Sequence, residues 1–269
     1  CVAQAEAVAV ASRKSGIAIP ALIEIDSDGH RSGLTANDPA LISVARILQE
    51  GGAELRGVLC HAGGSYASVG RDAHAKCAEQ ERLAVVDAAA VLRNAGLPCP
   101  VTSVGSTPTA HAATDLTGVT ELRAGVFVFF DLFQTGIGVC QIDDIALSVL
   151  TTVIGHQSDR GWTICDAGWM AMSRDRGTAN QQVDQGYGIV CDAAGQVIPG
   201  LIVEQANQEH GVIARRSGFD GEIPEFPVGT LLRILPNHAC ATAAQHQHYN
   251  VIPDTADASL LRWSRFGGW

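Results

Sequence analysis

Four apolar runs of five to ten residues recur through the first 130 residues, and a stretch of helical character separates each from the next. The runs fall at 17–26, 55–60, 100–104 and 121–130. Helices are predicted at 2–15, 38–50, 72–94 and 109–114. Asp38-Pro39 supplies an N-cap and a first-turn proline. Gly96 and Pro98 close the long third helix. Buried strands joined by helical crossovers must run parallel, because the crossover returns the chain to the same end of the sheet. The pattern therefore predicts a parallel βα assembly, either an open sheet or part of a barrel. A complete eightfold barrel needs about eight such units over roughly 250 residues, and only half that number is present.

The pattern changes after Asp131. Short strands are predicted at 145–156, 161–166, 186–192, 201–204, 212–215 and 230–235, separated by turn-rich segments such as Asp192-Ala193-Ala194-Gly195. Long helical patterns are scarce there, which predicts a mostly antiparallel β domain. The expected division is 1–131 for the βα part and 132–269 for the β domain, whose last residues return to the barrel.

Composition narrows the function classes. Hydrophobic residues make up 46% of the 269 and charged residues 17%, with a formal charge of −10. An acidic chain disfavours nucleic acid and anionic membrane surfaces as partners. No apolar run approaches the ~20 residues of a membrane span. The eight cysteines are scattered through apolar stretches without a CxxC pair. This predicts reduced, buried thiols and a cytoplasmic protein rather than a disulfide scaffold. The first residue is Cys rather than Met, so the start reads as cut.

Each predicted parallel strand ends in polar or glycine-rich chain, where βα folds place their chemistry. Arg31 lies in the loop after the first strand, suited to bidentate contact with an anionic oxygen. His61-Ala-Gly-Gly-Ser-Tyr66 ends the second, offering two acid–base or cofactor-contact groups. Gly105-Ser106-Thr107 ends the third and opens a helix. That arrangement predicts free backbone N–H groups and two hydroxyls at one point, an anion site. Arg123-Ala124-Gly125 begins the fourth. In the second half, Pro236-Asn-His238-Ala-Cys240 follows an apolar strand. In extended chain residues i and i+2 face the same way, so an imidazole and a thiolate converge, the donors that zinc prefers. His246 and His248 repeat the spacing and are either further ligands or an exposed polar face. His238 and Cys240 also admit a plain reading as a capped polar residue and a small core residue.

Taken in order, His61-Ala-Gly-Gly-Ser-Tyr66, Gly105-Ser-Thr-Pro108, Arg123-Ala-Gly125, Asp166-Ala-Gly168, Glu209-His-Gly211 and Pro236-Asn-His-Ala-Cys240 resemble the D-serine dehydratase and D-threonine aldolase family of pyridoxal-phosphate enzymes. The resemblance spans about 17–269. It implies the alanine-racemase-like fold, with the C-terminal half of a TIM-type barrel followed by the β domain. Gly105, Ser106 and Thr107 would hold the cofactor phosphate, and Gly125 and Val126 with Ala124 would close that pocket. Arg31 would approach the pyridoxal phenolic oxygen, with His61 and Tyr66 near cofactor or substrate, and Tyr66 and Arg31 would be the catalytic residues of this part. His238 and Cys240 would bind a divalent metal, zinc first, with manganese or magnesium as alternatives. A homodimer with shared sites is implied, acting on a β-hydroxy D-amino acid.

The His-x-Cys pair resembles the dehydratase version; aldolases typically carry His-x-Asp there. The resemblance therefore implies a metal-assisted lyase of the D-serine dehydratase type. D-threonine aldolase is the alternative, and a non-catalytic protein that keeps the phosphate and metal loops is a rival of another class. Racemisation on the same scaffold is a third reading, which the metal pair disfavours. This chemistry needs a Schiff-base lysine. The chain has only Lys14 and Lys76, both in predicted helices. The expectation is that the family's lysine, on the first barrel strand, is missing together with that half-barrel, and that the chain as given is inactive.

Overall fold

A computed structural model describes residues 1–253 and 259–267, and the chain divides into two compact units. The first unit comprises Cys1–Phe127 with Ile137–Val139. It contains helix α1 (Val2–Ser15), strand β1 (Pro20–Ile25), helix α2 (Ala40–Glu50), strand β2 (Glu54–Cys60), helix α3 (Arg71–Asn94), strand β3 (Val101–Val104), helix α4 (Thr107–Ala112) and strand β4 (Glu121–Leu122). The four strands form one parallel sheet in the order β1-β2-β3-β4. Helix α2 buries Leu41, Val44, Ala45 and Leu48, a single face at i, i+3, i+4 and i+7. That face packs with Val85, Ala88, Ala89 and Leu92 of α3 and with Ile23, Leu55 and Val58 of the sheet. Pro20 is tolerated because it is the first residue of β1, at the edge of the sheet. Gly57 (φ 137°) meets the Val101 carbonyl so closely that a Cβ would collide with it. Its left-handed backbone sits where the β1–β2 register shifts.

The fourth parallel strand is much shorter than expected. Residues 121–130 were predicted as one strand, but pairing ends at Leu122 and Val126–Val128 form a 3-10 turn. The reason lies in its neighbour. At Gly105 (φ 147°) the chain leaves β3 and turns into α4, packed against the Arg123 carbonyl. Residues beyond Arg123 therefore have no rung of β3 to pair with. The apolar run is largely turned outward, with Phe127 and Val128 exposed.

The second unit comprises Val128–Gly136 and Cys140–Trp269. Helix α5 (Leu132–Gly136) precedes strands β5 (Val149–Gln157) and β6 (Trp162–Cys165), helix α6 (Trp169–Met172), strands β7 (Gly188–Asp192), β8 (Val197–Ala206), β9 (Gly211–Arg215) and β10 (Leu231–Pro236), helix α7 (Ala239–Ala243), and the hairpin β11 (His248–Val251) and β12 (Leu261–Ser264). Strands β5 to β10 close into an antiparallel barrel in the order β10-β5-β6-β9-β8-β7. Closure follows from β10, which pairs with β5 on one side and β7 on the other. Val153, Val190, Val203, Ile213, Leu232 and Ile234 fill its interior, so no edge of this sheet is left open. The antiparallel character matches the sequence reading. Closure, and the ten-residue length of β8 where only 201–204 was predicted, do not follow from it. Gly211 opens β9, where a Cβ would meet the Ala167 carbonyl and Cys165 Sγ; close approach, not a left-handed turn, requires glycine there.

Candidate functional site

Two clusters hold the chemistry-bearing residues, one in each unit. In the first, the strand ends of β2 and β3 are tied together by polar contacts. His61 Nδ1 bonds the Gly105 carbonyl at 2.9 Å, so the ring donates there and keeps its acceptor lone pair on Nε2. Nε2 is buried without a protein partner. Burial first, and the nearby Arg31 guanidinium second, hold the His61 pKa below the ordinary imidazole value. Tyr66 stacks on His61 with ring centroids 5.8 Å apart. Arg31 lies in the exposed loop after β1, beside Gly63, where a Cβ would come within 3.2 Å of its Nε. Asp28 fastens that loop by accepting the Gly64 N–H at 2.7 Å. Arg31, His61 and Tyr66, scattered in sequence, are thus brought together.

The Gly105-Ser106-Thr107 loop departs from its expected form. Gly105 N–H donates to Glu81 Oε1 at 3.0 Å, and Ser106 N–H donates to Thr109 Oγ1 at 3.0 Å. The Ser106 hydroxyl caps α4 at the Thr109 N–H and bonds Ser65 Oγ at 2.9 Å. Two of the N–H groups and one of the hydroxyls expected to face an anion are therefore engaged internally. The Thr107 hydroxyl differs: Oγ1 is buried without a protein partner. It is the group of this loop whose hydrogen-bonding capacity a ligand oxygen would satisfy. Gly125 is exposed just beyond β4, and Val126 starts the 3-10 turn that follows.

The residue that organises this cluster is Glu81, which the motif reading passed over. It lies on the buried face of α3 with Ala78, Val85 and Ala88, 1% exposed. One oxygen accepts the N–H groups of Ala62 and Gly105, each at 3.0 Å, and the other accepts the Thr109 hydroxyl at 2.8 Å. Burial pushes its pKa up against these bonds. A carboxylate on the apolar face of an amphipathic helix was the available signal. Arg123 adds a second tie, donating to Ser103 Oγ at 2.7 Å and to the Cys60 carbonyl.

In the second unit β10 delivers Asn237 and His238 to the start of α7. His238 has extended backbone and is the N-cap, whereas Cys240 is inside the helix. The expectation that both sit in extended chain is therefore incorrect: Ala239 begins a helical turn because the buried Asp131 accepts its N–H at 2.8 Å. The side chains nevertheless meet. The Cys240 thiol is within hydrogen-bonding reach of His238, and with Asp175 it raises the imidazole pKa to about 9. His238 Nδ1 bonds Asp175 Oδ2 at 2.6 Å. Asn237 is fixed by Thr178 Oγ1 and the Gly186 carbonyl, both at 2.6 Å. The other two histidines do not join: His246 Nε2 bonds the Ala171 carbonyl at 2.8 Å, and His248 Nδ1 pairs with Arg262 at 2.9 Å. Among the described residues no group of three or more His, Cys, Asp or Glu could hold a metal ion. An imidazole and an exposed thiol placed together fit a borderline-soft divalent ion with open positions.

Glu81→Ala leaves the buried N–H groups of Ala62 and Gly105 without their acceptor and removes one of the partners of the Thr109 hydroxyl. We expect a loss of about 3 kcal/mol or more in urea unfolding, and a smaller loss for Glu81→Gln, which keeps an acceptor for both N–H groups.

Comparison with known proteins follows the division into units. The family model for the alanine racemase N-terminal domain matches residues 1–132, and the model described as "Putative serine dehydratase domain" matches residues 146–252. D-threo-3-hydroxyaspartate dehydratase of Delftia sp. (strain HT23) is 58% identical over 271 residues, covering 100% of this chain and 71% of that protein. D-serine dehydratase of Schizosaccharomyces pombe is 30% identical over 267 residues, covering 92% of this chain and 60% of that protein. The chain thus spans about three fifths of the length of the curated D-serine dehydratases it matches. The solved Delftia enzyme superposes with a TM-score of 0.94 at 57% identity, covering 100% of this chain and 71% of that one. It has also been solved as a histidine-to-alanine mutant and, metal-free, as a cysteine-to-alanine mutant; the two altered positions are two residues apart. D-threonine aldolase from Filomicrobium marinum shares the fold, with a TM-score of 0.78 at 22% identity over 98% of this chain and 66% of that one. With two family models matching in order and a relative 58% identical over the whole of this chain, the chain belongs to the D-serine dehydratase and D-threonine aldolase family, built on the alanine-racemase-like fold.

Proposed function

We propose that this protein is a metal-assisted, pyridoxal-phosphate-dependent dehydratase of a 3-hydroxy D-amino acid, with D-threo-3-hydroxyaspartate as its first substrate. The observation that carries the reading is the meeting of His238 and Cys240 beside Asp175. The histidine and cysteine altered in the Delftia dehydratase structures have the same spacing, and one of those structures is metal-free. Identity of 58% with that dehydratase favours dehydration over the aldolase reading, for which the likeness supports the fold alone. When bound, pyridoxal phosphate supplies an electron sink for the substrate Cα, and a divalent ion supplies Lewis acidity at the β-oxygen.

The chain's own groups have definite tasks in this reading. The Thr107 hydroxyl donates to a phosphate oxygen, with Gly105 and Ser106 shaping the loop rather than both donating to it. His61 stays neutral and presents Nε2 as an acceptor, held by Gly105 and covered by Tyr66. Arg31 approaches a phenolic or carboxylate oxygen, and Gly125 and Val126 border the same pocket. His238 and Cys240 hold the metal. The parallel sheet is read as part of a TIM-type barrel over 1–131, with the β domain over 132–269, in a cytoplasmic homodimer. All eight cysteines are free, as a reducing compartment requires. Lys14 lies exposed on α1 and Lys76 exposed on α3, neither at a strand end. Neither is the cofactor-bearing lysine in this reading, which is supplied from outside the 269 residues, and these residues alone are inactive.

Three outcomes are expected. The natural protein in full, given pyridoxal phosphate and zinc, converts D-threo-3-hydroxyaspartate to oxaloacetate and ammonia, and His238→Ala or Cys240→Ala lowers kcat at least ~100-fold. Release of glycine from the same substrate, or of glycine and acetaldehyde from D-threonine, in place of a keto acid would establish the aldolase instead. Borohydride reduction of these 269 residues with pyridoxal phosphate leaves Lys14 and Lys76 unmodified by mass spectrometry; stable attachment at either with turnover overturns the assignment of the lysine. Zinc must displace the proton that His238 holds up to about pH 9. Zinc affinity, measured by chelator competition, therefore rises about tenfold per pH unit for each proton released as pH climbs toward 9.

A further inference from the structure

The segment between α6 and β7 carries Arg174-Asp175-Arg176, a carboxylate flanked by two cations. Neither arginine pairs with it. Arg174 stacks over the Trp169 ring at 4.1 Å, and Arg176 bonds Asp184 at 2.6 Å. Asp175 instead reaches across 63 positions of sequence to His238 Nδ1 at 2.6 Å. A carboxylate that bypasses two adjacent guanidinium groups for one imidazole nitrogen is held there by its backbone. That backbone is unusual: Ser173, buried and not glycine, has φ 78° and ψ 168°. Such a conformation is strained for a residue with a side chain. Ser173 is the C-cap of α6, and its hydroxyl accepts the Asp175 N–H at 3.2 Å.

We infer that Asp175 is the positioning residue of the metal pair. By accepting the Nδ1 proton it sets the His238 tautomer and ring orientation, so that Nε2 carries the lone pair offered to the ion. The inference rests on His238 and Cys240 being the metal ligands. Asp175 contributes no donor to the ion itself. Its carboxylate makes the imidazole more basic and spares it the cost of being ordered when the metal arrives. The strained Ser173 and the two arginines engaged elsewhere leave the Asp175 carboxylate to His238.

The test is zinc affinity, by competition with a chromophoric chelator, for the wild-type chain, Asp175→Ala, Asp175→Asn and His238→Ala, with thermal melting of each metal-free form. Asp175→Ala is expected to weaken zinc about 10–100-fold with the metal-free melting curve little changed. Asp175→Asn, whose amide oxygen still accepts the Nδ1 proton, should recover part of that loss. Zinc bound equally by Asp175→Ala and wild type overturns the inference. So does a loss in Asp175→Ala that follows unfolding of its metal-free form while Asp175→Asn binds as wild type. If wild type and His238→Ala bind zinc alike, the metal reading fails, and this inference with it.

Discussion

A buried carboxylate that accepts backbone N–H groups is the constraint on which both candidate sites depend. In the first unit Glu81 takes the N–H groups of Ala62 and Gly105, which adjoin His61 and Ser106. In the second, Asp131 takes the N–H groups of Ala239, next to His238, and of Gln134. Burial raises the pKa of both, and the N–H bonds oppose the shift. A carboxylate withdrawn from water is costly unless its lone pairs are filled. Filling them with loop N–H groups satisfies the acid and the loop together, and it freezes a backbone that would otherwise be free to move. The functional side chains are displayed from the residues next to those N–H groups, so their precision derives from the acid.

These internal bonds also limit what the Gly105-Ser106-Thr107 turn can offer an anion. A Gly-Ser-Thr turn before a helix offers N–H groups in principle, yet here Glu81 and Thr109 have already claimed those of Gly105 and Ser106. Among the buried side-chain atoms of the β2 and β3 ends, the Thr107 hydroxyl and His61 Nε2 have no protein partner. These are sparse and well oriented, and they sit on elements that are themselves cross-linked. In the second unit the arrangement is similar. Asn237 is pinned by Thr178 and Gly186, which holds the end of β10 next to His238, and Asp175 engages the ring itself.

Much of the architecture was legible in the chain. Helical period between apolar runs required parallel pairing, and β1 to β3 lie close to where they were expected. Turn-rich spacing after Asp131 required antiparallel strands, and the ordered loops from His61 to Cys240 carried the family. The errors have physical causes. Residues 121–130 have the composition of a strand, but a strand needs a partner, and β3 turns away at Gly105. His238 and Cys240 were expected to converge through extended chain, whereas they converge across a helix start that Asp131 imposes. Glu81 and Asp175 belong to no motif, although an acid on the apolar face of α3 was a visible anomaly.

By itself, then, the sequence determined the properties that depend on neighbours in the chain: strand and helix period, strand direction, the order of the loops and the donor types at 238 and 240. Only the tertiary structure decided which of those groups are free and which are spoken for. Periodicity is set over a few residues, but the partner of a buried polar group can come from anywhere. Glu81 meets Gly105 at a separation of 24 residues, Asp175 meets His238 at 63, and Asp131 meets Ala239 at 108. Hydrogen-bond satisfaction over such distances is a property of the fold, and it turns a set of reactive residues into a site.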